Sequence, residues 1–327
     1  MTVIDSIILG IVEGLTEYLP VSSTGHLIVT EYLLGLDNPA NKAALDAFSV
    51  CIQGGAILAV LLLYFGRVKG MLEGFAGKNP AGLRLGCNLL LAFVPAVGIG
   101  LAFDDEIKEY LFGVWPVVWA WVVGGLVILL YVRWRNSTGQ GNAGKGLDEM
   151  SYGQALLVGF MQCIAMWPGT SRSLMTMLGG MVAGLSVAAA VEFSFLLGLV
   201  TLGAATAYDA MKHGALMVET FGLWPLAMGS LMAFVSAMIA VKWMVGYLQK
   251  HSLSIFGWYR IAAGCVLAAL VFTGMGQSHD AGDKTPGKVP AGKAAPVAPQ
   301  APASPLTVNA VPAPVPAMVP SPAPVAP

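Results

Sequence analysis

Residues 13–26, near the start of the chain, contain several side chains that could take part in catalysis or binding. They are Glu13, Glu17, Ser22, Ser23, Thr24 and His26. Glu13 and Glu17 are four residues apart, so on a helix they share one face. Pro20 and Gly25 interrupt that helix and predict a turn for the hydroxyl run. Carboxylates, hydroxyls and an imidazole in an apolar sequence indicate a functional site.

The paired carboxylates predict a divalent-cation site. A carboxylate at the centre of a bilayer costs about 2.5–3.5 kcal/mol on insertion scales, so two of them need a partner. Glu13 and Glu17 can offer oxygens to Mg²⁺ or Ca²⁺, with water or a substrate phosphate completing the shell. The alternative is a pair of glutamates at a helix end near the lipid headgroups.

His26 has two interpretations. Alone, it would be a packing or interfacial residue, and its spacing from Ser23 does not decide between them. In a turn near Ser22 and Ser23 it becomes a candidate base or nucleophile.

A second polar cluster lies at Pro168–Ser173. Its arginine, Arg172, is flanked by Ser171 and Ser173 at a predicted helix start. A guanidinium can grip phosphate with two hydrogen bonds, and helix N-termini favour anions. An isolated structural role for Arg172 is the alternative.

Composition places these clusters in a membrane protein. The chain has 327 residues, is 56% hydrophobic and 11% charged, and its mean hydropathy is +0.73. These values are typical of a polytopic membrane protein. The net charge of -1 argues against a nucleic-acid partner. The four cysteines are widely spaced in apolar sequence, which predicts packing rather than disulfides or metal binding.

Six apolar segments are long enough to span a bilayer. They are Ala44–Phe65, Leu85–Phe103, Leu111–Val132 and the approximate ranges 187–209, 222–247 and 255–274. Residues 1–275 therefore form the predicted membrane-embedded domain. Residues 276–327 are rich in proline and alanine and predict a disordered tail.

The two polar clusters interrupt segments that look like copies of each other. Gly10–Glu13 matches Gly159–Gln162 at an offset of 149, and Pro20–Ser23 matches Pro168–Ser171 at 148, which predicts one residue gained or lost between them. If each interrupted segment is a re-entrant hairpin, three spans follow it in each half. An odd number of spans inverts the second copy. The fold expected is an all-α inverted repeat, about 1–135 and 150–275, with six transmembrane helices and two re-entrant helical hairpins.

The charges of the loops orient this arrangement. Loops 66–84, 133–150 and 248–254 share one face, and they carry most of the loop lysines and arginines. The positive-inside rule assigns that face to the cytoplasm. The first hairpin and the site would then open to the non-cytoplasmic side. Two fully spanning segments, instead of hairpins, would not invert the halves.

Two long motifs resemble those of the bacterial undecaprenyl pyrophosphate phosphatases of the bacitracin-resistance type. The first combines Glu13-x-x-x-Glu17 with the Pro-x-Ser-Ser-Thr-x-His run of residues 20–26, and the second is Pro168-Gly-Thr-Ser-Arg-Ser-x-x-Thr176. The resemblance covers about residues 1–275. Leu174 is a departure, since the family often has glycine there, and it bears on local helix packing only.

The resemblance implies hydrolysis of undecaprenyl pyrophosphate to the monophosphate carrier lipid, in a bacterial inner membrane, for cell-wall synthesis and bacitracin resistance. It implies Glu13 and Glu17 as metal-binding or acid/base groups, Ser23 or His26 as the nucleophile and Arg172 as the phosphate clamp. The predicted phosphate ligands are Ser22, Thr24, Ser171, Arg172, Ser173 and Thr176. The expected partners are the lipid substrate and the bilayer, and a homodimer stays open.

A transporter or lipid flippase is the second hypothesis, because inverted repeats with broken helices are typical of transporters. The two hypotheses differ at the site. A transporter needs ligands but no nucleophile, whereas this chain places a Ser/His pair beside two carboxylates and an arginine.

Truncation after Gly276 tests the predicted tail. A segment so rich in proline and alanine does not pack, so its removal should leave folding and activity within about twofold of the full chain. Thermal unfolding and turnover of the purified truncated protein are the measurements. Loss of activity at normal expression would contradict the prediction.

Overall fold

The computed structural model describes residues 1–36, 42–103 and 113–272. These ranges are almost entirely α-helical, with one 3-10 turn at Leu147–Glu149. The α-helices are α1 (Val3–Thr16), α2 (Ser23–Leu33), α3 (Lys42–Leu63), α4 (Phe65–Phe75), α5 (Pro80–Ala102), α6 (Val114–Ser137), α7 (Tyr152–Ile164), α8 (Arg172–Val182), α9 (Val187–Phe221), α10 (Leu223–Leu248) and α11 (Ser254–Phe272).

Six of the described helices, namely α3, α5, α6, α9, α10 and α11, are long and apolar enough to cross a membrane. This confirms the predicted all-α polytopic fold. Many large apolar side chains on these helices are exposed, as lipid-facing residues must be. Helix α9 differs from the prediction, since its 35 residues make it about 52 Å long, well beyond a hydrocarbon core. The predicted loop after α3 also contains a helix, α4.

The two interrupted segments form two pairs of short helices, α1–α2 and α7–α8. In each pair the chain stops being helical for a few residues and restarts after a serine with a left-handed backbone, Ser22 at φ 74° and Ser171 at φ 76°. The N-caps Thr2 and Ser151 each close a capping box. Ser22 and Ser171 are 149 residues apart, and so are Thr2 and Ser151. The predicted gain or loss of one residue is therefore wrong, because the structural register pairs Ser22 with Ser171 and Ser23 with Arg172.

Each short pair packs against the other half of the molecule. Helix α1 lies along α10, and α7 lies along α5. Close approach depends on glycine at matching positions. A Cβ on Gly10 would overlap the carbonyl oxygen of Gly229, and a Cβ on Gly159 would lie 2.6 Å from that of Ala92. Such exchanged contacts are typical of a two-fold relation between halves.

The remaining helix pairs fit the same relation. Helix α3 packs on α9, and α6 packs on α11, so that each helix meets its own counterpart. The inversion of the second half and the re-entrant path of the hairpins stay predictions, because helix packing alone does not fix the bilayer direction. Residues 276–327, the predicted tail, lie outside the described residues.

An ion-pair group joins the halves at the basic loops. Arg67 in α4 donates from Nε to Glu192 at 2.7 Å and from Nη1 to Asp148 at 3.0 Å. The structure gives both carboxylates a shared partner from the other half of the chain.

Gly10→Ala should destabilise the protein, because the added methyl falls on the backbone of α10. Overpacking of this kind typically costs about 1–3 kcal/mol. Gly203→Ala in α9 is the matched control, since a Cβ there meets nothing within 4 Å. Thermal unfolding in detergent should show a lower Tm for Gly10→Ala and an unchanged or higher Tm for Gly203→Ala. Equal Tm values for the two variants would contradict the packing described.

Candidate active site

Glu17 is the meeting point of the two interrupted segments. The hydroxyl of Ser23 donates to Glu17 Oε2 at 2.6 Å. Arg172, from the other segment, donates through Nη2 to Glu17 Oε1 at 3.0 Å. Ser173 Oγ also reaches across, to the carbonyl of Leu19 at 2.8 Å. Glu17, Ser23 and Arg172 therefore lie together, although they come from two segments far apart in the sequence.

The left-handed serines place these side chains. A residue other than glycine pays a steric cost at positive φ, so the two identical exceptions reflect a local requirement. Each turns the chain sharply so that Ser23 and Arg172 become the first residues of α2 and α8. Helix N-termini carry unpaired N–H groups and a partial positive charge. Two such ends meeting at one point are suited to a phosphate.

Arg172 is held in place and keeps a donor free. Its Nη1 donates to the carbonyl of Ser194 at 2.9 Å, and its guanidinium lies over the ring of Tyr18 at 5.4 Å. Its Nε is buried and has no partner among the described residues. A free, buried guanidinium donor beside two helix N-termini can take a phosphate oxygen.

Glu13 lies one helical turn before Glu17 and is 1% exposed. In the described part of the chain neither of its carboxylate oxygens has a hydrogen-bond partner. Gln53 of α3 donates to Glu17 Oε2 at 3.3 Å on the same side. The unpartnered oxygens of Glu13, one turn from the Glu17 carboxylate, fit a hard divalent cation. The described residues contain no group of three acidic, histidine or cysteine side chains for a metal, so water or phosphate oxygens would have to complete the shell.

The remaining predicted phosphate ligands divide into engaged and free groups. Ser171 Oγ and Ser173 Oγ are 2.9 Å apart, and Thr176 Oγ1 lies 2.6 Å from Ser194 Oγ. These hydroxyls form hydrogen bonds in and around the first turn of α8. Ser22 is buried without a side-chain cap hydrogen bond, and Thr24 is exposed.

Both ring nitrogens of His26 have partners other than the Ser23 hydroxyl. Its Nδ1 lies 2.7 Å from the carbonyl of Ser22 and its Nε2 lies 2.6 Å from the Tyr259 hydroxyl. The ring also packs against Trp121, with centroids 4.7 Å apart. Since a carbonyl can only accept, the neutral ring carries its proton on Nδ1, and Nε2 accepts from Tyr259. Both nitrogens are therefore engaged, and the partner of Ser23 is Glu17.

The group is closely packed. Glu17 and Ser23 are each 7% exposed, and the larger described cavity, about 760 Å³, is lined elsewhere, by residues such as Arg133 and Trp134. The ion pair between Glu17 and Arg172 bridges the two interrupted segments.

Sequence reasoning missed three contributors to the site, Gln53, Tyr18 and Tyr259. Gln53 was recognisable from sequence as a candidate, because it is an amide in the middle of an apolar span. Tyr18 follows Glu17 directly and is fully buried. Tyr259 carried no local signal, because its partner His26 is 233 residues away.

The two copies supply different chemistry to one site. At the offset of 149, Glu13 corresponds to Gln162, Glu17 to Met166 and Ser23 to Arg172. The first copy provides the acidic and hydroxyl groups, and the second provides the cation.

The chain is similar to known proteins over most of its length. A sequence model described as "Bacitracin resistance protein BacA" matches residues 6–266. The chain is 42% identical over 264 residues to "Undecaprenyl-diphosphatase" of Sorangium cellulosum, covering 80% of this chain and 84% of the relative. It is 44% identical over 273 residues to "Undecaprenyl-diphosphatase 2" of Rhodospirillum rubrum, covering 83% and 96%. It is 45% identical over 264 residues to "Undecaprenyl-diphosphatase" of Ectopseudomonas mendocina, covering 81% and 92%.

The matched region contains both interrupted segments and every predicted site residue. The chain therefore belongs to the bacitracin resistance protein BacA family.

Proposed function

We propose that this protein hydrolyses undecaprenyl pyrophosphate to undecaprenyl phosphate and inorganic phosphate. The observation that carries the proposal is the Ser23 hydroxyl hydrogen-bonded to Glu17, with Arg172 on the other oxygen of the same carboxylate. A nucleophile and a guanidinium suited to phosphate thus each lie within hydrogen-bond reach of the same base. The names of the relatives support the same substrate.

Ser23 is the proposed nucleophile. Its oxygen attacks the terminal phosphorus while Glu17 takes the hydroxyl proton. The bond from that phosphorus to the bridging oxygen breaks, and undecaprenyl phosphate leaves. The oxygen of a water molecule then bonds to the phosphorus of the phosphoserine, and the bond from that phosphorus to the serine oxygen breaks. Glu17 returns its proton to the serine oxygen, and the released phosphate carries both protons of the water. His26, the alternative nucleophile, is less suited because Tyr259 and Ser22 occupy both of its ring nitrogens.

Arg172 and the two helix N-termini stabilise the transferring phosphoryl group. Charge spreads over its oxygens in the transition state, so preorganised donors in a buried site contribute strongly. Ser22, Thr24, Ser171 and Ser173 lie at those helix ends and complete the proposed phosphate ligands. Thr176 holds the first turn of α8 in place, because its hydroxyl donates to the carbonyl of Arg172.

Glu13 and Glu17 are the residues that would hold a divalent cation, Mg²⁺ or Ca²⁺. The cation would supply charge neutralisation at the phosphate oxygens. Glu13 suits this part because its buried oxygens are otherwise unpartnered in the described chain.

The setting proposed for the reaction is the bacterial inner membrane, with the site open to the non-cytoplasmic face. The excess of arginine and lysine in the loops on one face supports this orientation. The product would return to cell-wall synthesis as carrier lipid, and its recycling would confer bacitracin resistance. A homodimer stays a prediction.

A lipid transporter is the second candidate, favoured by the exchanged packing of the two halves. Phosphate release by the purified full-length protein in detergent, where no membrane has to be crossed, separates the candidates. The proposed enzyme releases phosphate from undecaprenyl pyrophosphate under these conditions. Movement of labelled lipid across vesicles without phosphate release would overturn the proposal.

Ser23→Ala and Arg172→Ala should each lower turnover by about 10²–10³-fold or more, the loss expected for a transition-state donor. Ser6→Ala is the matched control, because Ser6 is a fully buried serine in the same hairpin whose hydroxyl, within the described part of the chain, bonds only to the carbonyl of Val3. Phosphate release per folded protein is the measurement. Near-normal turnover of Ser23→Ala, together with an inactive His26→Ala, would assign the nucleophile to His26.

Chelation should abolish phosphate release, and added Mg²⁺ or Ca²⁺ should restore it. Glu13→Gln keeps the shape of the side chain but removes a charged ligand, so it should need at least about tenfold more metal for half-maximal activity. Titration calorimetry of the cation alone should show the same weakening. Full activity in excess chelator, or metal binding unchanged in Glu13→Gln, would contradict the metal site.

A further inference from the structure

Arg260 of α11 is fully buried and bonds to backbone rather than to acid. Its Nη2 donates to the carbonyls of Ala120 at 2.7 Å and Gly169 at 2.8 Å, and its Nη1 lies 3.3 Å from that of Pro20. In the described part of the chain no carboxylate pairs with it. An arginine without a counter-ion is costly to bury, so this position demands an explanation beyond packing.

Two of its three partners are equivalent in the duplicated halves. Pro20 and Gly169 are 149 residues apart, and each lies three residues before the first residue of a helix, Ser23 in one half and Arg172 in the other. Their carbonyls lie in the interrupted stretches, where no helical N–H reaches them. A guanidinium has several donors in a rigid plane and can bind both of these carbonyls together with that of Ala120, whereas an amide has two donors and a hydroxyl has one.

We propose that Arg260 is a positioning residue for the phosphatase reaction, tying the two interrupted stretches together so that Ser23 and Arg172 face one phosphate. The inference rests on the proposed function. A shift of either carbonyl would move the helix start three residues later. A displacement of about 1 Å at a reacting group can cost on the order of 10²-fold in rate.

The surroundings of Arg260 support this role. Gly124 of α6 leaves the space that the guanidinium occupies, since a Cβ there would lie 2.5 Å from Nη2. Tyr259, the preceding residue, holds His26, and His26 binds the carbonyl of Ser22. One turn of α11 thus reaches the first interrupted stretch directly at Pro20 and, through His26, at Ser22.

Arg260→Lys is the first test, in the purified full-length protein. Lysine keeps the charge but loses the planar fork, so turnover per folded protein should fall about 10–100-fold with KM for the lipid little changed. Binding of orthovanadate, which mimics the transferring phosphoryl group, should weaken in parallel. Arg135→Lys is the matched control, because Arg135 is also buried and donates to backbone carbonyls, including those of Gly141 and Leu185. It should change neither quantity.

Gly124→Ala is the second variant, and it decides the question if Arg260→Lys does not fold. Its methyl displaces the guanidinium without removing it, so turnover and vanadate affinity should fall together. Gly125→Ala is its control, since the methyl there crowds Gly257 and Ile261 in the same helix seam instead. Equal losses in the two glycine variants, or normal turnover per folded Arg260→Lys protein, would overturn the inference.

Vanadate binding separates this inference from the proposed function. A wild-type protein that binds vanadate but releases no phosphate from the lipid would refute the function. The effect of the Arg260 and Gly124 variants on vanadate affinity would still test the positioning role.

Discussion

The fold depends on how two interrupted helices find hydrogen-bond partners for their backbone N–H and C=O groups. An interruption in an apolar surrounding exposes N–H and C=O groups that have no water to bind, and each costs several kcal/mol if left unpaired. Here the two interruptions meet, and side chains satisfy the backbone carbonyls that the interruptions leave open. Ser173 binds the carbonyl of Leu19, and Arg260 binds those of Pro20 and Gly169. Ser23 and Arg172, the first residues of the helices that follow, both bond to Glu17, and the proposed phosphate site lies at these two helix starts.

The two halves share a similar backbone at the interrupted segments but differ in the side chains that they bring to the site. The backbone at Ser22 and Ser171 is nearly the same in the two copies, and both short helices rely on a glycine contact with the opposite half. The side chains at equivalent positions differ in charge. Glu17 and Arg172 can therefore meet across the interface as an ion pair, 6% and 12% exposed. Two identical copies would place like charges together and repel each other.

Much of this arrangement is predictable from sequence. The six spans follow from hydropathy, and the two interrupted segments follow from the Pro and Gly positions within apolar sequence. The register between the copies was predicted wrongly because Pro20 and Pro168 were aligned by identity, whereas the left-handed serines set the true correspondence. The direction of the His26 ring depended on Tyr259, which is distant in sequence. Arg260 carried a usable signal that was overlooked, since an arginine within an apolar span needs a buried partner or a function.

The central claim is that Glu17 and Arg172, from different copies, act as one unit on the same phosphate. A double-mutant cycle with Glu17→Gln, Arg172→Lys and the combined variant tests it most directly, with kcat/KM for phosphate release as the measured quantity. Residues that act as a unit show strongly non-additive losses. The account predicts that the combined variant is about as impaired as the worse single variant. Losses that multiply in the combined variant would mean that the two residues act independently, and would contradict the account.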